Sequence, residues 1–158
     1  MKYLCFIMCF VFLFSAEGCA RNGRTEYAVP FFLESLDGST VDSSDYFGKE
    51  IVFLNFWATG CDACKEEVPY LKGFYSKYKD KIAIFAVDIG ESKTKLQSFK
   101  KSHAINYPIL MDKNAQVAIS YGVSGIPAIA VIGKDKKIAY YGHSIPEAEN
   151  TIKFLLKR

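Results

Sequence analysis

The chain is poor in the residues that announce a metal centre or a nucleic-acid surface. Its 20 basic and 17 acidic residues are interspersed and leave a net charge of only +3, so no basic stripe exists to track a phosphate backbone. Histidine is nearly missing. His103 and His143 form no pair at ligand spacing, and a zinc site on the cysteines would need two further ligands. Low-complexity tracts and internal repeats are absent too. The 158 residues, half of them hydrophobic, therefore read as one compact domain behind an N-terminal segment. Cysteine is sparse as well: of five, Cys5 and Cys9 lie in an N-terminal apolar run and Cys19 at its end, leaving only Cys61 and Cys64 in the domain. A lone pair spaced CxxC excludes a multi-bridge disulfide framework.

What is present centres on that pair. Ile51-Val52-Phe53-Leu54-Asn55-Phe56 is almost continuously apolar and β-prone, the pattern of a strand covered on both faces. It runs into Trp57-Ala58-Thr59-Gly60-Cys61-Asp62-Ala63-Cys64-Lys65-Glu66-Glu67-Val68-Pro69, where charged and apolar residues take up helical spacing from Asp62 onward. The cysteines thus stand where a strand hands over to a helix N-terminus, beside unpaired backbone N–H groups and the positive end of the helix dipole. A thiolate is stabilised there, which favours redox chemistry over a metal or structural role. A static bridge would close too small a loop to contribute much.

Elsewhere strands and helices alternate. Residues 29–33 read as an edge strand followed by a turn at Asp37-Gly38, 43–47 as a helical turn, and about 61–78 as the helix after the cysteines, bent at Pro69. Residues 81–87 form a buried strand, and Ser92 caps a helix to about residue 102. A short strand at 107–111 precedes a helix at 114–121. Strands at 128–132 and 137–141 form a hairpin, and a last helix starts near Pro146 with Ile152, Leu155 and Leu156 on one face. This order gives an α/β fold with a mixed central sheet.

The strand, the Trp57-Ala58-x-x-Cys61-x-x-Cys64 motif, Pro69 eight positions after Cys61, and Gly125-Ile126-Pro127 far downstream together resemble the thioredoxin fold. The Cys64-to-Pro69 continuation and Val87-Asp88-Ile89-Gly90-Glu91-Ser92 are more specifically similar to the TlpA/ResA-type extracytoplasmic thiol–disulfide oxidoreductases. The resemblance covers residues 28–158. It implies a thioredoxin-like mixed sheet flanked by helices with extra N-terminal strands, a redox-active Cys61–Cys64 disulfide and no other cofactor. It implies a cis Pro127 beside the dithiol, with Ile126 offering backbone groups to an extended substrate. Trp57 completes the expected substrate side as scaffold at the edge of the site.

Within this frame each residue receives a role. Cys61, at the helix terminus, is the expected nucleophile, and Cys64, one turn in, resolves the mixed disulfide. Thioredoxins proper carry an aspartate six positions before the first cysteine; here that position is Asn55, which cannot titrate. Glu67, three residues beyond Cys64 and on its helical face, is the expected proton carrier and matches the acid of the resembled family. Glu66 points away as a surface residue. Asp62, between the cysteines, is expected to disfavour the Cys61 thiolate and so make the dithiol a reductant.

The N-terminus reads as a targeting segment, residues 1–19, and a tether, residues 20–27, ahead of the domain at 28–158. Tyr3 to Phe14 is twelve uncharged residues, shorter than a membrane span and suited to a signal h-region. Ser15-Ala16-Glu17-Gly18-Cys19 is similar to the lipobox at which bacterial lipoproteins are cut and acylated, with Ala16 and Glu17 departing from it. The expected product is an outward-facing, membrane-attached protein lipidated on Cys19. Its expected partners are protein disulfides, with apocytochrome c among the clients of related families, and an upstream dithiol donor; no nucleic acid is expected. Two rival readings use the same fold. A peroxiredoxin-like peroxidase needs a threonine or serine three positions before the reactive cysteine and an arginine, whereas Thr59 stands two before and no arginine lies between 24 and 158. A Cu(I) carrier would use Cys61, Cys64 and a histidine, but its usual cysteine spacing is one residue longer.

Overall fold

The computed structural model describes residues 26–158. The expected targeting segment, the expected lipidation site Cys19 and residues 20–25 of the expected tether lie outside the described residues.

Among the described residues seven strands form one mixed sheet. They are β1 (Phe32–Ser35), β2 (Thr40–Asp42), β3 (Val52–Trp57), β4 (Ala83–Ile89), β5 (Ile109–Asp112), β6 (Ala128–Ile132) and β7 (Ile138–Gly142). Their order is β2-β1-β5-β4-β3-β6-β7. The three central strands β5, β4 and β3 run parallel, and the flanking strands are antiparallel to their neighbours. Four α-helices of the described residues accompany them: α1 (Asp62–Tyr78), α2 (Lys93–Ser102), α3 (Gln116–Ser120) and α4 (Ile145–Leu155). Among the described residues no helix is long and apolar enough to cross a membrane.

All six residues of β3 are buried, as its continuous apolar run requires of a strand with both faces covered. Alternation then divides them. Phe53 and Trp57 face the layer of α1, α2 and α4, where they meet Val68, Leu71, Phe74, Leu96 and Ile152. Val52, Leu54 and Phe56 face the other layer, with Phe31, Phe47, Ala118 of α3 and Tyr121. Each such Leu or Phe contributes about 1.5–3 kcal/mol by leaving water, and the two layers hold the end of β3 rigidly.

Several boundaries differ from the sequence reading, each for a local reason. The first strand begins at Phe32 rather than 29, because Pro30 has no N–H to give and the Phe31 N–H bonds the Ser43 hydroxyl at 2.8 Å instead. Nor is it the edge strand: three-residue β2, too short to stand out in the sequence, pairs along its outer side. The fourth and fifth strands start two residues later than expected, the fifth just past Pro108. The helix at 114–121 shrinks to α3 because Ala115 takes a left-handed φ of 56°. α4 begins at Ile145, capped by Ser144, with Pro146 in its first turn. Leu156 lies past its end, 41% exposed, and does not share the buried face of Ile152.

Candidate active site

β3 ends at Trp57 and a turn of four residues carries the chain to α1. Cys61 is the N-cap of α1, in extended conformation (φ −89°, ψ 114°), and its sulfur accepts the backbone N–H of Cys64 at 3.1 Å. That N–H is one of the first-turn donors that no helical carbonyl can reach. A cysteine here takes the place a serine or aspartate ordinarily fills, which directs the helix terminus onto sulfur. Cys61 and Cys64 form a disulfide with Cα atoms 5.2 Å apart. The two sulfurs are unequal in access: Cys61 is half-buried, and Cys64 is only 4% exposed under the helix-layer core.

The opposite wall is the start of β6. The Ile126–Pro127 bond is cis, and the Ile126 carbonyl oxygen lies 3.7 Å from Cys61 Sγ. These two residues, 65 positions from the dithiol, are thus brought against it. Behind Pro127 stands His143, whose Nδ1 is 2.5 Å from the Pro127 carbonyl and donates to it in the Nδ1-protonated tautomer.

Glu67 is half-buried on the inner side of α1 and Glu66 is exposed, as their spacing predicts. Burial pushes the Glu67 carboxyl above the ordinary carboxylate range, and the nearby His143 opposes this. One of its oxygens, Oε2, is buried without a hydrogen-bond donor. Its charge is felt by the hydroxyls of Tyr107 and Tyr140, both raised chiefly by burial. Glu67 and His143 also line a cavity of about 770 Å³ with Tyr70, Phe74 and Ile145. A carboxyl group in this setting holds a proton more readily than a free glutamate and is suited to exchange one with a neighbouring thiol.

Two expected residues sit differently from the rest. Trp57 is 3% exposed and its ring packs at 5.3 Å from that of Phe99, so it is core beneath the site. Asp62 points outward to an ion pair with Lys65 at 2.7 Å, its side chain 90% exposed. Solvent and Lys65 screen its field, and the bias against a Cys61 thiolate rests less on Asp62 than the sequence suggested. Asn55 lies buried in β3, and its Oδ1 has no donor. The Thr59 hydroxyl donates to Glu91 at 2.7 Å rather than facing the sulfurs. Among the described residues no group of three or more His, Cys, Asp or Glu is placed to hold a metal ion.

Nothing in the sequence assigns His143 a role. β7 pairs with β6 as the hairpin pattern predicts, but the place of His143 beside Pro127 depends on the register of that pairing, which the pattern does not give.

A sulfur capping a helix, its partner one turn inside, and a cis-proline loop across from both define a thioredoxin-like dithiol–disulfide protein. The comparisons agree. The model of the AhpC/TSA family matches residues 25–141. The thiol-disulfide oxidoreductase ResA of Bacillus subtilis is 40% identical over 109 residues, 68% of this chain and 60% of that protein's length. The ResA of Bacillus cereus is 37% identical over 126 residues, 79% of this chain and 71% of its own. Among solved structures, a candidate protein disulfide isomerase from Bacteroides thetaiotaomicron superposes with a TM-score of 0.76 at 28% identity, covering 85% of this chain and 91% of that one. The chain belongs to the ResA-like thiol–disulfide oxidoreductases of the AhpC/TSA family.

Proposed function

We propose that this protein reduces disulfides of other proteins outside the cytoplasm, with Cys61 as nucleophile, Cys64 as resolving thiol and Glu67 as proton carrier. The observation that carries the reading is the inequality of the two sulfurs. Cys61 is accessible, capped by a helix N–H and flanked by the Ile126 carbonyl, while Cys64 is shielded behind it.

In the reduced protein the Cys61 thiolate attacks one sulfur of a client disulfide. A mixed disulfide forms, and the client's other sulfur leaves as a thiolate. The Cys64 thiol passes its proton to the Glu67 carboxylate and attacks Cys61 Sγ. The Cys61–Cys64 disulfide forms, the client's second sulfur departs, and Glu67 returns the proton to it. Two electrons have moved to the client, and an upstream dithiol must restore them. Ile126 presents backbone groups to an extended client segment, as a sheet edge would.

The carboxyl groups near the start of α1 support this direction. Negative charge on the half-buried Glu67 disfavours thiolates, with only a minor contribution from the solvent-screened Asp62, which weakens the reduced form and makes the pair a donor of electrons. The signal-like segment 1–19 and the lipobox-like ending at Cys19 support attachment to the outer side of a bacterial membrane, and clients such as apocytochrome c whose haem-binding cysteines have formed a disulfide fit a reductase at that place.

Trapping tests this directly. Full-length Cys64→Ser protein, expressed in cells that mature cytochromes c, is expected to accumulate mixed disulfides through Cys61 in the membrane fraction. Cys19→Ala protein should move to the soluble fraction. Absence of any Cys61 adduct, with the variant folded, would contradict the reductase reading.

A further inference from the structure

β4 is apolar from Ala83 to Val87 and then carries Asp88, whose side chain is wholly buried at 0% exposure. Its register partners are Trp57 and Met111, neither of which compensates a charge. Oδ1 accepts the Glu91 backbone N–H at 3.1 Å, whereas Oδ2 is buried with no donor. The Asp88 carboxyl also meets the Glu91 carboxyl within hydrogen-bonding range. Two acceptors facing each other away from water are satisfied by a single proton lying between them. The rest of the Glu91 carboxylate is turned to the dithiol loop. Thr59 gives it a backbone N–H and a hydroxyl, each at 2.7 Å, and Lys95 of α2 pairs with it at 2.5 Å. Thr59 stands two residues before Cys61.

We propose that Asp88 and Glu91 hold one proton in common and act as a positioning clamp, gripping Thr59 and so fixing the turn that presents Cys61. Asp88 acts through Glu91, and Glu91 through Thr59; neither takes part in the exchange of sulfurs. The effect on catalysis rests on the dithiol reading above, but the clamp does not.

The proton resides on Asp88. Burial and the neighbouring Glu91 lift Asp88 to about 7, with Lys95 opposing. Burial also pushes Glu91 up, but Lys95 and the two Thr59 donors outweigh it and bring Glu91 down to about 2. Glu91 and Lys95 are the charged groups that act most on Asp88. Below pH about 7 the pair carries one negative charge and the clamp is closed. Above it a second charge is buried beside the first, and the hold on Thr59 loosens.

The oxidised full-length protein provides the test, because neither cysteine titrates there. In ¹H–¹⁵N NMR spectra the Thr59 and Glu91 amides are expected to titrate together with a midpoint near pH 7. The hydrogen-exchange protection of the Thr59 amide should fall at least tenfold above it. In Asp88→Asn an amide hydrogen replaces the shared proton permanently, so the titration should vanish and protection persist at every pH. The comparison with Asp88→Asn separates the carboxyl pair from every other source of a pH-dependent shift. No titration at Thr59 in the wild type, or the same titration in Asp88→Asn, would overturn the proposal; if that variant fails to fold, the wild-type result alone decides. Loss of disulfide reductase activity with the titration intact would instead count against the reading of function.

Discussion

The backbone N–H of Cys64 points at the sulfur of Cys61, 3.1 Å away, so the buried cysteine of the pair stabilises the more accessible one. In the reduced protein that N–H and the helix terminus favour a Cys61 thiolate. Cys64, buried beside the half-buried Glu67, has the opposite environment. We expect iodoacetamide to alkylate Cys61 at least ~10-fold faster than Cys64 at neutral pH. Mass spectrometry of the peptide spanning the motif reads the ratio directly, and equal rates would remove the assignment of nucleophile and resolver.

Glu67 should show opposite effects on rate and stability. As proton carrier its replacement in Glu67→Gln should slow resolution of the mixed disulfide by about 10²-fold, within the usual range for a general base. Burial raises its carboxyl above the ordinary range in the folded protein, so its contribution to stability is full below that range and lost as pH rises through the folded value. Glu67→Gln escapes that loss. Its Tm should exceed that of the wild type at pH 8 and converge with it at pH 4. A variant slow and equally unstable at both pH values would point to a packing role alone.

Glu149 ties α4 to α1. Its carboxylate accepts from Lys77 and the Tyr78 hydroxyl, each at 2.8 Å, and pairs with Lys153 at 3.1 Å. The Lys77 bond above all, against the effect of burial, holds it down at about 2. A carboxyl depressed in the folded state gives stability above its ordinary pKa and loses it as pH falls through the folded value. Glu149→Gln should therefore cost about 0.5–1 kcal/mol at pH 7, a figure discounted for solvent exposure. The cost should shrink between pH 4.5 and about 2 and in high salt, as measured by urea unfolding. A cost unchanged by pH would mean that shape and not charge holds the helices together.

The dithiol and its surroundings were legible to different depths. The strand-to-helix handover, the accessible Cys61 and the inward Glu67 follow from periodicity and spacing, because those signals are local. Pro127 came only through the resemblance, since no spacing rule brings residue 127 to residue 61. His143, and the clamp of Asp88 on Glu91 and Thr59, stayed hidden for the same reason: each depends on how strands align. A faint signal did exist for the clamp. Asp88 interrupts an otherwise apolar strand, and a charge in such a run has to be satisfied somewhere. The Asp62–Lys65 pair is readable from its spacing of three, and it reduces the weight Asp62 can bear. Pro30, Pro108 and Ala115 shifted boundaries by removing a donor or turning the backbone, effects finer than hydrophobic periodicity resolves.

The reduction potential of the Cys61–Cys64 pair tests the central claim most directly. Equilibration of the purified protein against thiol buffers, followed by the fluorescence of Trp57 in the core beneath the site, gives it in one titration. The account predicts a value near or below that of thioredoxin, about −270 mV. A value near about −120 mV, that of a strong oxidant, would contradict it and make the protein a donor of disulfides.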